Sequence, residues 1–175
     1  MRKILLVIDM QKDFVDGSLG TLEATEIVEH VVRKINCYPR ENVIATRDTH
    51  TEDYLNTQEG GKLPVVHCVR NTLGWELVPE VAAALDGAQV IDKPTFGSVA
   101  LMEQLRAMER QEPIEIELVG LCTDICVVSN ALLLKAAMPE VSISVDPTCC
   151  AGVTEKSHQA ALVTMEMCQI NVQHQ

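Results

Sequence analysis

The sequence predicts a three-layer α/β fold in which a central, mostly parallel sheet of about six strands carries helices on both faces. Short apolar segments typical of buried strands alternate along the chain with segments whose apolar residues recur at helical spacing. The composition agrees, because 47% of the 175 residues are hydrophobic and only 3% are aromatic, so aliphatic side chains must fill the core. A chain of this length is typical of one domain, and we expect a single domain over residues 1–175.

The individual elements follow from these patterns. Strands are predicted, in chain order, at residues 4–8, 43–46, 90–91, 114–119, 141–145 and 170–172. Helices are predicted where apolar residues fall on one face, at residues 25–35, 98–108, 124–138 and 154–168. Thr154 is a suitable N-cap for the last helix, and Glu115 and Glu117 indicate a partly wet face on the fourth strand. No pattern covers residues 47–79, and connections of that length tend to be functional.

Charge and composition exclude several classes of function. A net charge of −11 argues against binding to nucleic acid or to an anionic membrane, both of which need clustered Lys and Arg. No apolar stretch reaches the roughly 20 residues of a membrane-spanning helix. The N-terminal MRKILLVIDMQ is better interpreted as a first strand than as a signal peptide, because no small-residue cleavage site follows it. Seven cysteines without a regular framework favour free thiols in a reducing cytoplasm.

Reactive side chains follow several of the predicted strands. The first strand ends at Asp9, the second leads into Asp48 and His50, and Lys93 comes just after the third. Because ligands of open α/β sheets bind at the carboxyl ends of the strands, we expect these groups to converge there. Each also has an ordinary structural interpretation, since an aspartate often caps a turn and a lysine is usually solvated.

The fourth strand leads into the stretch LVGLCTDICVVSN at residues 118–130, which carries two cysteines. Cys126 lies in the first turn of a predicted helix, where free N–H groups and the helix dipole favour a thiolate and can hold an oxyanion. A thiol redox or metal-sensing module using Cys122 and Cys126 is an alternative. Their C-x₃-C spacing differs from the usual C-x-x-C motif, and that module would give Asp9 and Lys93 no role.

Five motifs together resemble those of the isochorismatase-like cysteine hydrolases, and within them the nicotinamidase/pyrazinamidase branch. They span nearly the whole chain and are, in order, IDMQKDF (8–14), RDTH (47–50), HC (67–68), DKPTFGS (92–98) and GLCTDICV (120–127). The last is the most specific. The resemblance implies the isochorismatase-like hydrolase fold and hydrolysis of a small (hetero)aromatic amide such as nicotinamide, with release of ammonia through a thioester. It also implies a cytoplasmic enzyme of NAD salvage that can form a homo-oligomer.

Carried onto this chain, the resemblance implies a catalytic triad of Asp9, Lys93 and Cys126. Cys126 would attack the amide carbonyl, Asp9 would accept the thiol proton, and Lys93 would lower the thiol pKa. A cis peptide bond between Leu121 and Cys122 is implied as well, with an oxyanion hole formed by the backbone N–H groups of Cys122 and Cys126.

The resemblance further implies a divalent metal ion, with zinc expected and manganese or iron possible. The implied ligands are Asp48, His50, Glu59 and His67. Asp48 and His50 can point the same way because side chains of a strand repeat every second residue. Other family members place a histidine where this chain has Asn56, so Glu59 is the better candidate.

A substrate pocket for a flat ring needs apolar walls, and the candidates are Phe14, Phe96, Trp75 and Leu121. Isochorismatase itself lacks the cysteine nucleophile, so Cys126 argues against that activity. Hydrolases of N-carbamoyl amides or of ureidoacrylate keep the triad and are an alternative of the same family. Two departures from the family pattern concern the pocket: Cys122 stands where a smaller residue is usual, and the loop before His67 lacks a tryptophan-containing insert.

Overall fold

The computed structural model describes residues 1–173, which form a parallel sheet of six strands between two layers of helices. The strands are β1 (Arg2–Ile8), β2 (Val43–Asp48), β3 (Gln89–Lys93), β4 (Ile114–Leu121), β5 (Ser142–Ala151) and β6 (Asn171–Val172). Their order across the sheet is β3-β2-β1-β4-β5-β6, and every adjacent pair is parallel. The predicted fold class is confirmed.

Strand β1 lies inside the sheet, and its side chains alternate between two apolar cores. Leu5 and Val7 pack into the core on one face, while Ile4, Leu6 and Ile8 pack into the core on the other, and all five are fully buried. A parallel strand covered on both faces is apolar at consecutive positions, which is why this segment has no polar alternation.

Among the described residues, eight α-helices complete the layers. They are α1 (Lys12–Val15), α2 (Leu22–Glu26), α3 (Val28–Asn36), α4 (Gln58–Lys62), α5 (Pro79–Ala84), α6 (Val99–Glu109), α7 (Val128–Ala137) and α8 (Glu155–Met167). Residues of α1, α2, α3 and α5 contribute to the Leu5 core, and residues of α6, α7 and α8 to the Ile4 core. Thr154 caps α8 as predicted, since its side chain accepts from the Ser157 N–H. Within residues 1–173, no helix is both long and apolar enough to cross a bilayer.

Several boundaries differ from the predicted ones. The helix predicted at 25–35 is divided at Ile27 into α2 and α3, and the one predicted at 124–138 begins with a π-helical turn, Thr123–Val127. Strand β5 was predicted to end at residue 145 but continues to residue 151. The prediction ended early because Pro147 interrupts the apolar pattern and the pairing with β4 shifts register past Leu118.

The predicted wet face of β4 is wrong at Glu117, which is buried. Its carboxylate accepts from the Tyr38 hydroxyl and from Lys34 Nζ at 2.7 Å, and the same ammonium lies 2.8 Å from Asp146. Sequence alternation could not reveal this, because the partners come from α3 and β5 and the segment that follows α3. All seven cysteines are free thiols.

Candidate active site

The carboxyl edge of the sheet brings the predicted reactive groups together. Asp9 directly follows β1, Asp48 and Lys93 are the last residues of β2 and β3 and are paired in register, and Leu121 ends β4. Because β3, β2, β1 and β4 are successive neighbours, four sequence-distant segments meet at one point. The convergence predicted from the strand ends is therefore observed.

Asp9 is held in an uncommon backbone conformation. Its φ is 47°, in the left-handed region, and its N–H donates to the Thr46 carbonyl at 3.2 Å. The Thr46 hydroxyl donates to Asp9 Oδ1 at 2.6 Å. A non-glycine residue in this region costs about 1–3 kcal/mol and persists only where the surroundings impose it. The turn and the threonine together aim the carboxylate away from the strand.

Lys93 connects the acid and the thiol. Its ammonium nitrogen lies 2.6 Å from Asp9 Oδ2 and 3.3 Å from Cys126 Sγ, and it donates to the Thr95 carbonyl at 3.2 Å. Asp9, Lys93 and Cys126 are all buried. The three residues expected as a triad thus form one contiguous buried cluster.

Burial dominates the electrostatics of this cluster. It raises the pKa of Asp9 above 3.8, and Lys93 only partly opposes the rise. Burial alone would lower the pKa of Lys93, but the negative charge of Asp9 raises it above its ordinary value, so the lysine stays protonated. Burial, followed by the charge of Asp9, raises the pKa of Cys126 well above 9.0 despite Lys93. Lys93 lowers the thiol pKa as expected, but burial outweighs it, and the net effect on the pKa of Cys126 is a rise.

Cys126 is presented by an unusually wide turn. The peptide bond between Leu121 and Cys122 is cis, as expected. The carbonyl of Cys122 accepts from the N–H groups of Ile125 and Val127, each at 3.1 Å, and the second of these closes a π-helical loop. Burial raises the pKa of the Cys122 thiol to about 12. Two thiols that stay protonated differ from the low-pKa cysteines of redox motifs, which disfavours the redox alternative.

Asn130, one turn beyond Cys126, links the backbone at Cys126 to the loop after Lys93 by hydrogen bonds. Its side-chain amide donates to the carbonyls of Cys126 at 2.8 Å and Phe96 at 3.1 Å, and its oxygen accepts from the Ser98 N–H at 2.9 Å. The sequence interpretation missed this buried residue. Its only signal is a polar residue at helical spacing from Cys126 in an otherwise apolar helix.

Beside the triad, Asp48, His50, Glu59 and His67 form a group whose potential ligand atoms all lie within 4.8 Å of one another. Asp48 is shared with the triad, since its Oδ1 is 3.5 Å from Lys93 Nζ. Burial would raise the pKa of Asp48, but the contact with His50 and the charge of Lys93 lower it below 3.8. All four residues expected as metal ligands are therefore close enough to bind one ion.

The hydrogen bonds of the two histidines test whether a cation fits this group. His67 Nδ1 lies 2.7 Å from the Val65 carbonyl, which only accepts, so Nδ1 carries the proton and the lone pair is on Nε2. That lone pair faces Asp48 Oδ2 and Glu59 Oε1, each at 3.7 Å. His50 Nε2 is buried, lies 2.9 Å from Asp48 Oδ2, and has no hydrogen-bond partner among the described residues. The His67 lone pair facing two carboxylate oxygens, and the unsatisfied His50 Nε2 beside Asp48, fit a divalent cation.

Gln11 positions Asp48 and is a second residue that the sequence interpretation missed. Its side-chain oxygen accepts from the Asp48 N–H at 2.7 Å, and its amide donates to the carbonyls of Asp48 at 2.8 Å and Trp75 at 2.9 Å. The residue is fully buried. Its position in the IDMQKDF motif was the available signal, because hydrophobic periodicity does not predict which polar side chains are buried.

A cavity of about 690 Å³ opens over the thiol and the metal-ligand group. Phe14, Phe96, Leu121 and Cys122 line it together with Cys126.

Trp75 does not line the cavity, so its expected role as a pocket wall is wrong. Its buried indole stacks under the Arg47 guanidinium at 3.5 Å and donates to the Thr49 hydroxyl at 2.8 Å. The ring therefore contacts Arg47 and Thr49, the two residues that flank Asp48.

Comparisons with known proteins agree with this geometry. A family model described as the isochorismatase domain matches residues 3–174. The nicotinamidase of Saccharomyces cerevisiae is 24% identical in an alignment 173 positions long, which takes in 74% of this chain and 80% of the relative. The structure of the Pyrococcus horikoshii pyrazinamidase in complex with zinc has 25% identity and a TM-score of 0.82 over 100% of both chains. The Staphylococcus aureus nicotinamidase has 25% identity and a TM-score of 0.76, over 99% of this chain and 100% of its own.

The fold and the site at its carboxyl edge define an α/β enzyme whose reactive groups come from successive parallel strands. The family model covers nearly the whole chain, and the chain belongs to the isochorismatase family. The resemblance to its nicotinamidase/pyrazinamidase branch, first indicated by five short motifs, is confirmed by these relatives.

Proposed function

We propose that this protein is a cysteine-dependent amidohydrolase that releases ammonia from a small aromatic or heteroaromatic amide through a thioester. The nicotinamidase and pyrazinamidase relatives make it a hydrolase of amide carbon–nitrogen bonds. The observation that carries the cysteine mechanism is the contact of one buried ammonium, Lys93 Nζ, with both Asp9 Oδ2 at 2.6 Å and Cys126 Sγ at 3.3 Å.

In the first half of the reaction, the sulfur of Cys126 attacks the amide carbonyl while Asp9 accepts the thiol proton. The raised pKa of Asp9 makes it a stronger base than an ordinary carboxylate. Lys93 remains charged, so its ammonium stabilises the sulfur as it loses its proton. The backbone N–H groups of Cys122 and Cys126 are the proposed donors to the carbonyl oxygen as it gains negative charge.

In the second half, the proton held by Asp9 passes to the departing nitrogen, which leaves as ammonia, and the acyl group remains on Cys126 as a thioester. Asp9 is then ionised again and removes a proton from the water that attacks the thioester carbon. The acid product leaves, and the proton returns to the Cys126 sulfur. Each step uses a group that is already within the cluster.

Asp48, His50, Glu59 and His67 would hold the metal ion that the family implies. Nitrogen and carboxylate ligands favour zinc, manganese or iron, and the zinc-bound pyrazinamidase relative supports zinc. When bound, such an ion supplies Lewis-acid polarisation to a donor atom in the cavity. The chain's own contribution is to fix the ligands, through Val65 behind His67 and Gln11 behind Asp48.

The test is ammonia release from nicotinamide, pyrazinamide and small aliphatic amides. We expect Cys126→Ala to reduce turnover by at least about 10³-fold, because the covalent route is lost. Cys149→Ala is the matched control, since Cys149 is a buried free thiol outside the cavity, and it should retain activity. Turnover by Cys126→Ala close to that of the unchanged protein would refute the mechanism, and an unchanged protein inactive on every amide would refute the function.

A further inference from the structure

The cavity is much larger than is needed to bind a single amide group beside Cys126. Its volume of about 690 Å³ lies within the range of about 300–1,000 Å³ that is typical of sites for drug-sized ligands. A single-ring amide bound against Cys126 and the metal-ligand group would occupy only the inner end. The remaining volume extends outward to Leu63 and Val153.

Exposed apolar side chains line the outer part of the cavity together with the exposed polar residues Thr57, Gln58, Lys62 and Thr95. Leu63 is 37% exposed, Phe96 43% and Val153 53%, and all three line the same cavity as the thiol. Single exposed hydrophobic residues need no explanation, but a group of them around one opening marks a surface that binds something apolar. Because this rim is continuous with the catalytic cluster, the occupant that it fits is part of the substrate.

The rim is also fixed relative to the nucleophile. The Val153 N–H donates to both carboxylate oxygens of Asp124, at 3.1 and 3.2 Å, and Asp124 lies in the same turn as Cys126. On the other side, the Phe96 carbonyl accepts from Asn130, which also bonds the Cys126 carbonyl. These bonds hold the backbone at Phe96 and Val153 in place without a ligand, so both residues are already positioned at the cavity before a substrate binds.

We propose that the preferred substrate is an aromatic primary amide whose ring carries an apolar extension reaching Phe96, Leu63 and Val153. This inference rests on the proposed amidohydrolase function and specifies its substrate class. The amide is held at the inner end, and the extension is removed from water between the rim side chains. Each methylene that becomes buried can raise kcat/KM up to about fourfold.

The experiment compares benzamide and nicotinamide with derivatives that carry a butyl or hexyl chain at each ring position. We expect at least one extended amide to exceed its parent about tenfold or more in kcat/KM. Turnover of the parents with no extended derivative above them would overturn the inference and leave the amidohydrolase function standing. Turnover of no amide at all would overturn both.

A pair of matched variants locates the effect. Val153→Asp places a charge on the rim, and we expect it to reduce the preference for the extended amide about three- to tenfold. Val163→Asp is the control: Val163 is 57% exposed on α8 and lies outside this cavity, so the preference should not change. Equal preferences in the two variants would overturn the assignment to this rim. A Val153→Asp variant that dissociates an oligomer without changing the preference would show that the rim contacts a second copy, and would also overturn it.

Discussion

At the scale of single residues, the active cluster combines a strongly buried thiol with a base of raised pKa. Burial raises the pKa of both Cys126 and Asp9, and Lys93 keeps its charge between them. Transfer of the thiol proton to Asp9 is therefore easier than transfer to an ordinary carboxylate.

The pH dependence of kcat/KM follows from these directions. Asp9 must be ionised to accept the proton, so activity should fall as the pH drops through its pKa, at a higher pH than for an ordinary carboxyl of about 3.9. The pKa values of Cys126 and Lys93 are both raised, so neither group should produce an alkaline fall below about pH 9. A pH–rate profile measured with a neutral amide checks this. An acidic limb centred at or below pH 3.9, or an alkaline limb near pH 7–8, would contradict it.

Asn130 should matter for catalysis although it does not reach the cavity. In Asn130→Asp, one oxygen can still accept from Ser98, but the other faces the carbonyls of Phe96 and Cys126, to which the amide now donates. We expect kcat to fall about 10–100-fold and the free energy of unfolding to drop by about 1–3 kcal/mol. Steady-state kinetics and urea unfolding measure both. Asn36→Asp, the same change at an exposed site, should affect neither, and unchanged kcat in Asn130→Asp would contradict the positioning role.

At the scale of elements, the site depends on how closely β1 and β4 approach at their carboxyl ends. Gly120 pairs with Ile8, has φ of 113°, and a Cβ there would lie 2.1 Å from the Ile8 carbonyl oxygen. Only glycine fits this position, both because of the conformation and because of the contact. The close approach brings the turn of Cys126 beside Asp9.

Gly120→Ala should consequently be severely destabilising. We expect a loss of about 3 kcal/mol or more in the free energy of unfolding, or no folded protein, because backbone cannot yield as a flexible side chain can. Gly61→Ala, in α4, has no atom within 4 Å of the added Cβ and should be neutral or stabilise by about 0.5–1 kcal/mol. Urea unfolding followed by circular dichroism compares the two. Equal stability in both would show that β1 and β4 tolerate wider separation.

At the scale of the whole molecule, the metal-ligand group connects the sheet to the long segment that follows β2. Asp48 ends β2, Glu59 lies in α4, and His67 lies farther along the same segment. That segment has short helices and few strand pairings of its own, so an ion bound by all of these ligands would fasten it to the carboxyl edge.

Binding of a divalent cation should therefore raise the melting temperature. At a free zinc concentration of about 100 times Kd, linkage adds about 2.7 kcal/mol, which corresponds to about 5–10 °C for a chain of this size. Differential scanning fluorimetry of chelator-treated protein with added zinc measures the shift. His67→Ala should abolish it, whereas His30→Ala, on an exposed face of α3, should not. An equal shift in both variants would place the ion elsewhere.

The fold class and the strand ends that carry reactive residues were predictable from the amino-acid sequence alone. Alternating strand and helix patterns predicted a parallel sheet, and that sheet put Asp9, Asp48 and Lys93 at one edge because parallel strands share a carboxyl end. The local motif around Cys126 predicted the turn that presents the thiol. The strand ends and the turn at Cys126 depend mainly on residues that are close together in the chain, and such local patterns can be read from the sequence.

Features that depend on residues distant in the chain became visible only in the folded structure. Trp75 lies outside the pocket, with its indole packed against the Arg47 guanidinium. Glu117 is buried, and its carboxylate accepts hydrogen bonds from Lys34 and Tyr38, which are distant in the sequence. Burial by all the surrounding elements also raises the pKa of Cys126. A pKa depends on how completely all surrounding elements exclude water, and no local pattern records that exclusion.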